Sequence, residues 1–282
     1  MNSYYGRPIV KEPAWKVPDV PAYLFLGGMA GAAATMAAAA ELTGRRDLVR
    51  AGRLTAATGA LASVGALVHD LGRPERFLNM LRVFKVTSPL SVGSWILAPF
   101  SGLTAIGAAS ILSGRLPRVG SLAGLGAGLL GPGMCTYTAV LLADTAVPAW
   151  HEGYRQLPFV FAGSALASAA GATTLIGAPG GPARRLGLLG TAVELTAMST
   201  MERRLGDLGE PYRTGRAGRL LRTAKALGIA GAGLSVLGRR SRTAAALAGA
   251  AYLGAGACTR FGIYFAGVES TRDPKYVVRS QR

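Results

Sequence analysis

Few side chains in this sequence are equipped for chemistry. It holds two histidines, His69 and His151, and two cysteines, Cys135 and Cys258. Two thiols without a CxxC spacing do not ligate an iron–sulfur cluster, which usually takes four, and both cysteines read as small buried apolar residues. No Walker loop and no GxGxxG turn joins a strand to a helix, so redox cofactors and nucleotides are expected on another subunit. No catalytic residue and no metal ligand set is expected in this chain. What remains is hydrogen bonding and proton transfer. His69 and Asp70 are neighbours, Tyr137 carries a phenol, and Asp144 and Glu194 carry carboxyls. A quinone would need such a set: an apolar slot, one or two donors for its oxygens, and a proton route. Tyr137, His69 and Asp70 are candidates for the polar part, beside Tyr23, with Trp95 and Phe25 as walls. Asp70, Asp144 and Glu194 are candidates for relaying protons. The competing reading makes Tyr137 and Trp95 ordinary packing or membrane-interface aromatics.

These residues take their meaning from the blocks that carry them. Half of the 282 residues are hydrophobic and only 16% are charged, against about 25% charged in a soluble domain. The apolar residues gather into eight blocks, near 21–42, 51–69, 91–112, 119–145, 157–177, 185–202, 220–238 and 243–264. A helix crossing the hydrocarbon needs about 20 such residues. A β-barrel would instead show alternating segments of about ten. The expected fold is an all-α polytopic membrane protein with about eight transmembrane helices, arranged as two packed four-helix bundles. The membrane domain covers 21–264, between a polar N-terminal segment, 1–20, and a C-terminal tail, 265–282. The first block is as long as a full span and seven more follow, so it reads as a helix and not a cleaved signal. Forty glycines would burden soluble helices by about 1 kcal/mol each. In a bilayer they let backbones approach, and the GxxxG spacings Gly27/Gly31 and Gly124/Gly128 read as packing within the chain.

The formal charge is +17, yet the basic residues sit at block ends as Arg45–Arg46, Arg184–Arg185, Arg203–Arg204 and Arg239–Arg240. Residues so placed set topology and meet anionic lipid headgroups; a nucleic-acid partner is excluded. Alternate crossings put 1–20, the loops near 70–90, 146–156 and 203–219, and the tail on one face. Short turns occupy the other. The density of Lys and Arg in those short turns makes theirs the cytoplasmic face and puts the termini on the exoplasmic side of the cell membrane. His69, Asp70, Trp95, Tyr137, Asp144 and Tyr23 all fall near the face with the long segments, while Glu194 lies nearer mid-span.

Residues 69–84, His-Asp-Leu-Gly-Arg-Pro-Glu-Arg-Phe-Leu-Asn-Met-Leu-Arg-Val-Phe, followed by Thr-Ser-Pro-Leu-Ser-Val-Gly-Ser-Trp at 87–95, resemble the signature of the NrfD/PsrC family, the membrane subunits of polysulfide reductase-type complexes. Tyr-Leu-Phe-Leu-Gly-Gly at 23–28, Tyr-Thr-Ala-Val-Leu-Leu at 137–142 and Ala-Val-Pro-Ala-Trp at 146–150 resemble it too. The resemblance implies a prokaryotic inner-membrane subunit that exchanges electrons with quinone (menaquinone or ubiquinone) and holds no haem, iron–sulfur cluster or metal. It also implies docking to a ferredoxin-like iron–sulfur subunit, itself attached to a molybdopterin catalytic subunit. The family's quinone-site tyrosine corresponds to Tyr137 and its acidic residue at the end of the second helix to Asp70. The family's polar residues of the first helix have no counterpart beyond Tyr23.

Beside that resemblance, the 70–90 loop has a reading of its own. Arg73 and Arg76 alternate with acids, and Phe77 and Phe84 stand among Leu78, Met80, Leu81 and Val83. Such a segment suits an amphipathic piece at the interface, either receiving a partner subunit or forming a structural collar. A proton- or ion-translocating subunit or transporter is the alternative, supported by Asp144, Glu194 and Glu202. Against it, there is no inverted repeat, and Gly-Pro-Gly at 131–133 is a single break. A haem anchor would need both histidines.

Overall fold

The computed structural model describes residues 9–73, 75–177, 180–238 and 241–280, with the backbone alone at 76–78, 279 and 280. The chain runs through α1 (Asp19–Leu42), α2 (Arg46–Leu71), α3 (Glu75–Met80), α4 (Pro89–Ser113), α5 (Pro117–Ala143) and α6 (Pro148–Glu152). It continues through α7 (Leu157–Leu175), α8 (Gly181–Leu205), a 3₁₀ turn at Gly206–Gly209, α9 (Glu210–Arg213), α10 (Gly215–Leu237), α11 (Arg242–Arg272) and α12 (Pro274–Ser280). No strand occurs among the described residues.

Six helices, α1, α2, α4, α5, α7 and α10, are long and apolar enough to cross a membrane, and the chain is a multi-pass membrane protein. Helices α8 and α11 match them in length but carry more charge, including Arg184, Arg185, Glu194 and Glu202 on the one and Arg260, Glu269 and Arg272 on the other. Helix α11 also runs on to Arg272, beyond the expected end near 264, and the expected tail contains α12.

Local chemistry sets the ends. Ser88 accepts from the Ser91 N–H and Pro89 follows it, so α4 starts with one free donor satisfied and one absent. Gly72 adopts a left-handed φ of 71° and stops α2. Inside α5, Pro132 has no N–H to give the Gly128 carbonyl. The Thr35 hydroxyl of α1 donates to that carbonyl instead, at 3.1 Å. The Gly-Pro-Gly break is thus repaired by a neighbouring helix, as backbone away from water requires.

Helix α1 packs on α2 and α5, and α4 on α5 and α2; α7 packs on α8 and α11, and α10 on α11 and α8. Helices α1 and α5 meet α7 across the middle. The closest crossings fall on glycines: Gly31 lies against the Gly131 carbonyl, Gly163 against Gly190, and Gly171 against Gly249. Each GxxxG spacing is used within the chain, Gly27 facing Ser63, Gly124 facing Arg53 and Gly128 facing Ala38. The Arg53 so accommodated is buried and paired with Glu41, which also accepts from Ser121.

The long connecting segments gather at one end and bind one another. Trp150 of α6 is fully buried, stacks on Trp15 at 5.5 Å and donates its indole N–H to the Ile263 carbonyl at 2.7 Å. Tyr264 donates to the Trp15 carbonyl, and Tyr212 of α9 to the Ala149 carbonyl. Outside the span, Lys275 of α12 meets Glu210 at 2.9 Å, and that hydrogen bond holds its ammonium above the ordinary lysine range. Trp150→Ala is expected to cost about 3–5 kcal/mol, read as a lowered Tm in detergent, with Trp150→Phe less affected. An unchanged Tm for Trp150→Ala would remove this indole from the joint.

Candidate functional site

Tyr137 lies in α5, two turns before the helix ends, and its side chain is buried. The ring rests on Gly93 of α4, where a Cβ would overlap it. The sequence puts glycine there because any larger residue would displace the phenol. Its hydroxyl is buried and has no hydrogen-bond partner among the described residues. A buried hydroxyl left unpaired costs on the order of 1–3 kcal/mol, so this phenol has a hydrogen to give to another molecule's oxygen.

The surroundings come from four helices. Ser94, next to Gly93, donates to the Met80 carbonyl and ties α3 to α4. Tyr23 of α1 is buried, and its carbonyl accepts from Ser63 of α2 at 3.3 Å. Trp95 is 43% exposed on the outer side of α4, edge-on to Phe84 at 5.6 Å. Phe84 stands with exposed Val83, Val86 and Leu90 in an apolar surface stretch. Arg73 is exposed beside Gly72. The side chains of Arg76 and Phe77 lie outside the described residues.

His69 and Asp70 hold the N-terminal segment. Asp70 accepts from the Lys16 backbone N–H at 2.8 Å, and His69 Nδ1 lies 2.7 Å from Asp19 Oδ2. Asp70 therefore turns back to residue 16 instead of forward to Arg73, because the left-handed Gly72 ends the helix before a next turn can form. The His69 side chain is largely exposed. Asp144 is exposed at the end of α5.

Glu194 is elsewhere. It is buried in α8, accepts from the Thr259 hydroxyl of α11, and has the Arg260 guanidinium nearby. Arg260 is fully buried and donates to the Leu24 carbonyl at 3.2 Å and to the Phe161 carbonyl at 2.8 Å, with its guanidinium 3.8 Å from the Phe161 ring centre. The candidate relay residues thus fall into two places, one at the Tyr137 end of the N-terminal half and one inside the C-terminal half. Sequence reading passed over Tyr252 and Thr191 near Glu194, and the Arg53–Glu41 pair. Gly187 and Gly231, on two helices, clear space for the Tyr252 ring, a pairing that residue spacing does not reveal. Among the described residues, no three His, Cys, Asp or Glu side chains come together as a metal site would need.

The fold is that of a helical, multi-pass membrane protein whose connecting segments gather at one end, with the buried phenol of Tyr137 in the N-terminal half. The chain matches the family described as polysulphide reductase, NrfD over residues 10–179, more than half its length. It belongs to that family, whose members are generally quinone-interacting membrane anchors of oxidoreductase complexes. No curated protein matches it. The matched stretch contains Tyr23, His69, Asp70, Trp95, Tyr137 and Asp144, whereas Glu194 and everything from α8 onward lie beyond it.

Replacing Asp70 by Ala removes the acceptor for Lys16, at about 0.5–1.5 kcal/mol for such a bond. Residues 9–18 should then become more sensitive to protease, while Asp70→Asn, which keeps an acceptor oxygen, should not. Equal sensitivity of Asp70→Ala and the parent would show that this bond does not hold the segment.

Proposed function

We propose that this chain is the membrane anchor and quinone-reactive subunit of an oxidoreductase complex. It passes electrons between the quinone pool and a ferredoxin-like iron–sulfur subunit, which serves a molybdopterin catalytic subunit. The observation that carries the reading is the buried, unpartnered hydroxyl of Tyr137 seated on Gly93, inside the stretch that matches the family. When bound, the quinone supplies two-electron redox chemistry coupled to protons. The chain's residues do the rest. Tyr137 donates its hydroxyl hydrogen to a quinone oxygen, and the apolar surroundings from α1, α4 and α5 exclude water. Asp70, at the membrane boundary, trades protons with the aqueous side; His69 and Asp144 are the other groups at that end able to do so.

We further infer that all eight long helices span the bilayer as two four-helix bundles, α1, α2, α4 and α5 in one and α7, α8, α10 and α11 in the other, which the pairwise packing supports. The charges on α8 and α11 oppose this least where they lie at helix ends or, as with Glu194 and Arg260, are hydrogen-bonded inside. The termini and long connections lie on the exoplasmic side. The iron–sulfur partner docks there, over the exposed Val83, Phe84 and Val86, with Arg73, Arg76 and Phe77 in the same segment.

Two experiments test this. Tyr137→Phe removes one hydroxyl, so quinone-linked turnover of the assembled complex should fall, with a binding loss of about 0.5–1.5 kcal/mol. Activity with artificial acceptors at the catalytic partner should persist. Asp70→Asn belongs in the same assay, since it keeps the Lys16 bond while removing the charge. A relay predicts loss of the quinone-dependent rate alone, and unchanged rates for both variants would sink the site. For docking, cysteines introduced at Thr87 and Ser113, at opposite ends of α4, should show protection from labelling by the partner at 87 only. Protection at 113 would overturn the docking face.

A further inference from the structure

The C-terminal half holds polar groups that the Tyr137 site does not use. Between α8, α10 and α11 lies a cavity of about 480 Å³. It is lined near the connecting segments by Tyr212, Arg213 and Arg222, and deeper by Ser199, Thr259 and Glu194. Glu194 is 13 residues from the start of α8, about 20 Å along the axis at 1.5 Å per residue, which is close to the helix midpoint. Its carboxylate is buried, and its recorded bond is from the Thr259 hydroxyl. Arg260 does not lock it: the ion pairs among the described residues do not include these two, and Arg260 gives Nε and Nη2 to carbonyls of α1 and α7 while Nη1 is buried without a partner. The carboxylate is therefore free to change its protonation without breaking a pair.

A second cavity, about 200 Å³, enters from the opposite end. It is lined there by Gly180, Arg184 and Gly238, and reaches Ser235 and Tyr252. Tyr252 lies ten residues into α11 and Thr191 ten residues into α8, so both start about 15 Å from that face. The Tyr252 hydroxyl donates to Ser235 at 3.3 Å and lies beside Thr191. The Thr191 hydroxyl is buried, with the Tyr252 hydroxyl as its polar neighbour. Thr191 is three residues before Glu194, hence on the same face of α8. The two cavities thus end about one turn of α8 apart, one on the Tyr252 and Thr191 hydroxyls and the other on the Glu194 carboxyl.

We propose that this half carries a proton route across the membrane, entered by one cavity, left by the other, with Glu194 as its exchange point. A proton from cavity water neutralises the Glu194 carboxylate. The acid then gives a proton to the Thr191 hydroxyl, which passes its own to Tyr252 and the opposite cavity, restoring the carboxylate. Intramembrane carboxylates are costly to retain without such a use. The proposal is independent of the quinone reading, because it concerns residues outside the Tyr137 site and needs no quinone.

The full chain, reconstituted in liposomes holding a pH-sensitive dye, tests it under a potassium-diffusion potential. Proton entry should exceed that of protein-free liposomes. It should fall to the protein-free rate in Glu194→Gln and in Thr191→Val, and stay at the parent rate in Thr58→Ala, on α2 and outside both cavities. Dicyclohexylcarbodiimide, which attacks protonated carboxyls in apolar surroundings, should modify the parent at Glu194 by peptide mapping and block entry. That labelling reads the site in the unaltered protein, so a variant that fails to fold does not decide the matter. Parent entry no faster than protein-free liposomes, equal entry in the parent and Glu194→Gln, or no label at Glu194, overturns the route. Protection of Glu194 by sodium at constant pH would make this a sodium site and overturn the proton assignment.

Discussion

Helices in a bilayer gain little from hiding apolar surface, since the lipid is as apolar as they are, so their association rests on close contact and on polar groups that find partners only in each other. Everything else in this protein follows from how glycine serves both needs. Gly31 and Gly131 bring α1 and α5 together closely enough for Thr35 to reach the carbonyl that Pro132 leaves free. The same lack of side chain makes room for large polar ones. Gly93 seats Tyr137, Gly124 faces Arg53, and Gly187 and Gly231 flank Tyr252. Small residues thus act as sockets, and a polar side chain inside the membrane is found opposite them.

Arg260 is the joint between the two halves. A buried guanidinium has no water to turn to, and an unpaired charge at that depth is expensive. It bonds instead to backbone carbonyls of α1 and α7 and lies over the Phe161 ring, a cation–π contact that gains strength when desolvated. Gly28 leaves it space on α1. Because the two acceptors belong to different halves, moving α7 against α1 would break at least one of these bonds. At the end with the long segments, Trp150 and Tyr264 add a second fixed point through Trp15 and the Ile263 carbonyl.

Much of this architecture was legible in the sequence because apolar blocks of about twenty residues report helices through length alone. The six most apolar helices and the gathering of long segments at one end follow from those blocks. The ends were less legible. α11 runs past its apolar block to Arg272 because contacts of its last turns, such as Ser270 with the Ala149 N–H, extend the helix beyond what hydropathy marks. At the candidate site, residue type identified Tyr137, but no pattern could show that its hydroxyl lacks a partner, since that depends on what three other helices bring. Asp70 is a similar case. Its sequence neighbours do not show that the left-handed Gly72 ends α2 there and that the carboxylate turns back to Lys16.

The separation of Tyr137 from Glu194 has a physical consequence for any work the protein does. Tyr137 sits in the last two turns of α5, towards the end where the connecting segments gather. Glu194 is buried near the middle of α8, where a change of charge is felt strongly because the packed surroundings screen it little. The guanidinium of Arg260 stands between the two, bonded to Leu24, the residue after Tyr23, and facing the Glu194 region through the same side chain. A charge gained or lost at Glu194 therefore changes the field on a group that holds α1, and a displacement of α1 changes the position of that group relative to Glu194. Coupling of this kind needs no large motion. It needs a buried cation whose two backbone acceptors lie on different halves, and Arg260 has them.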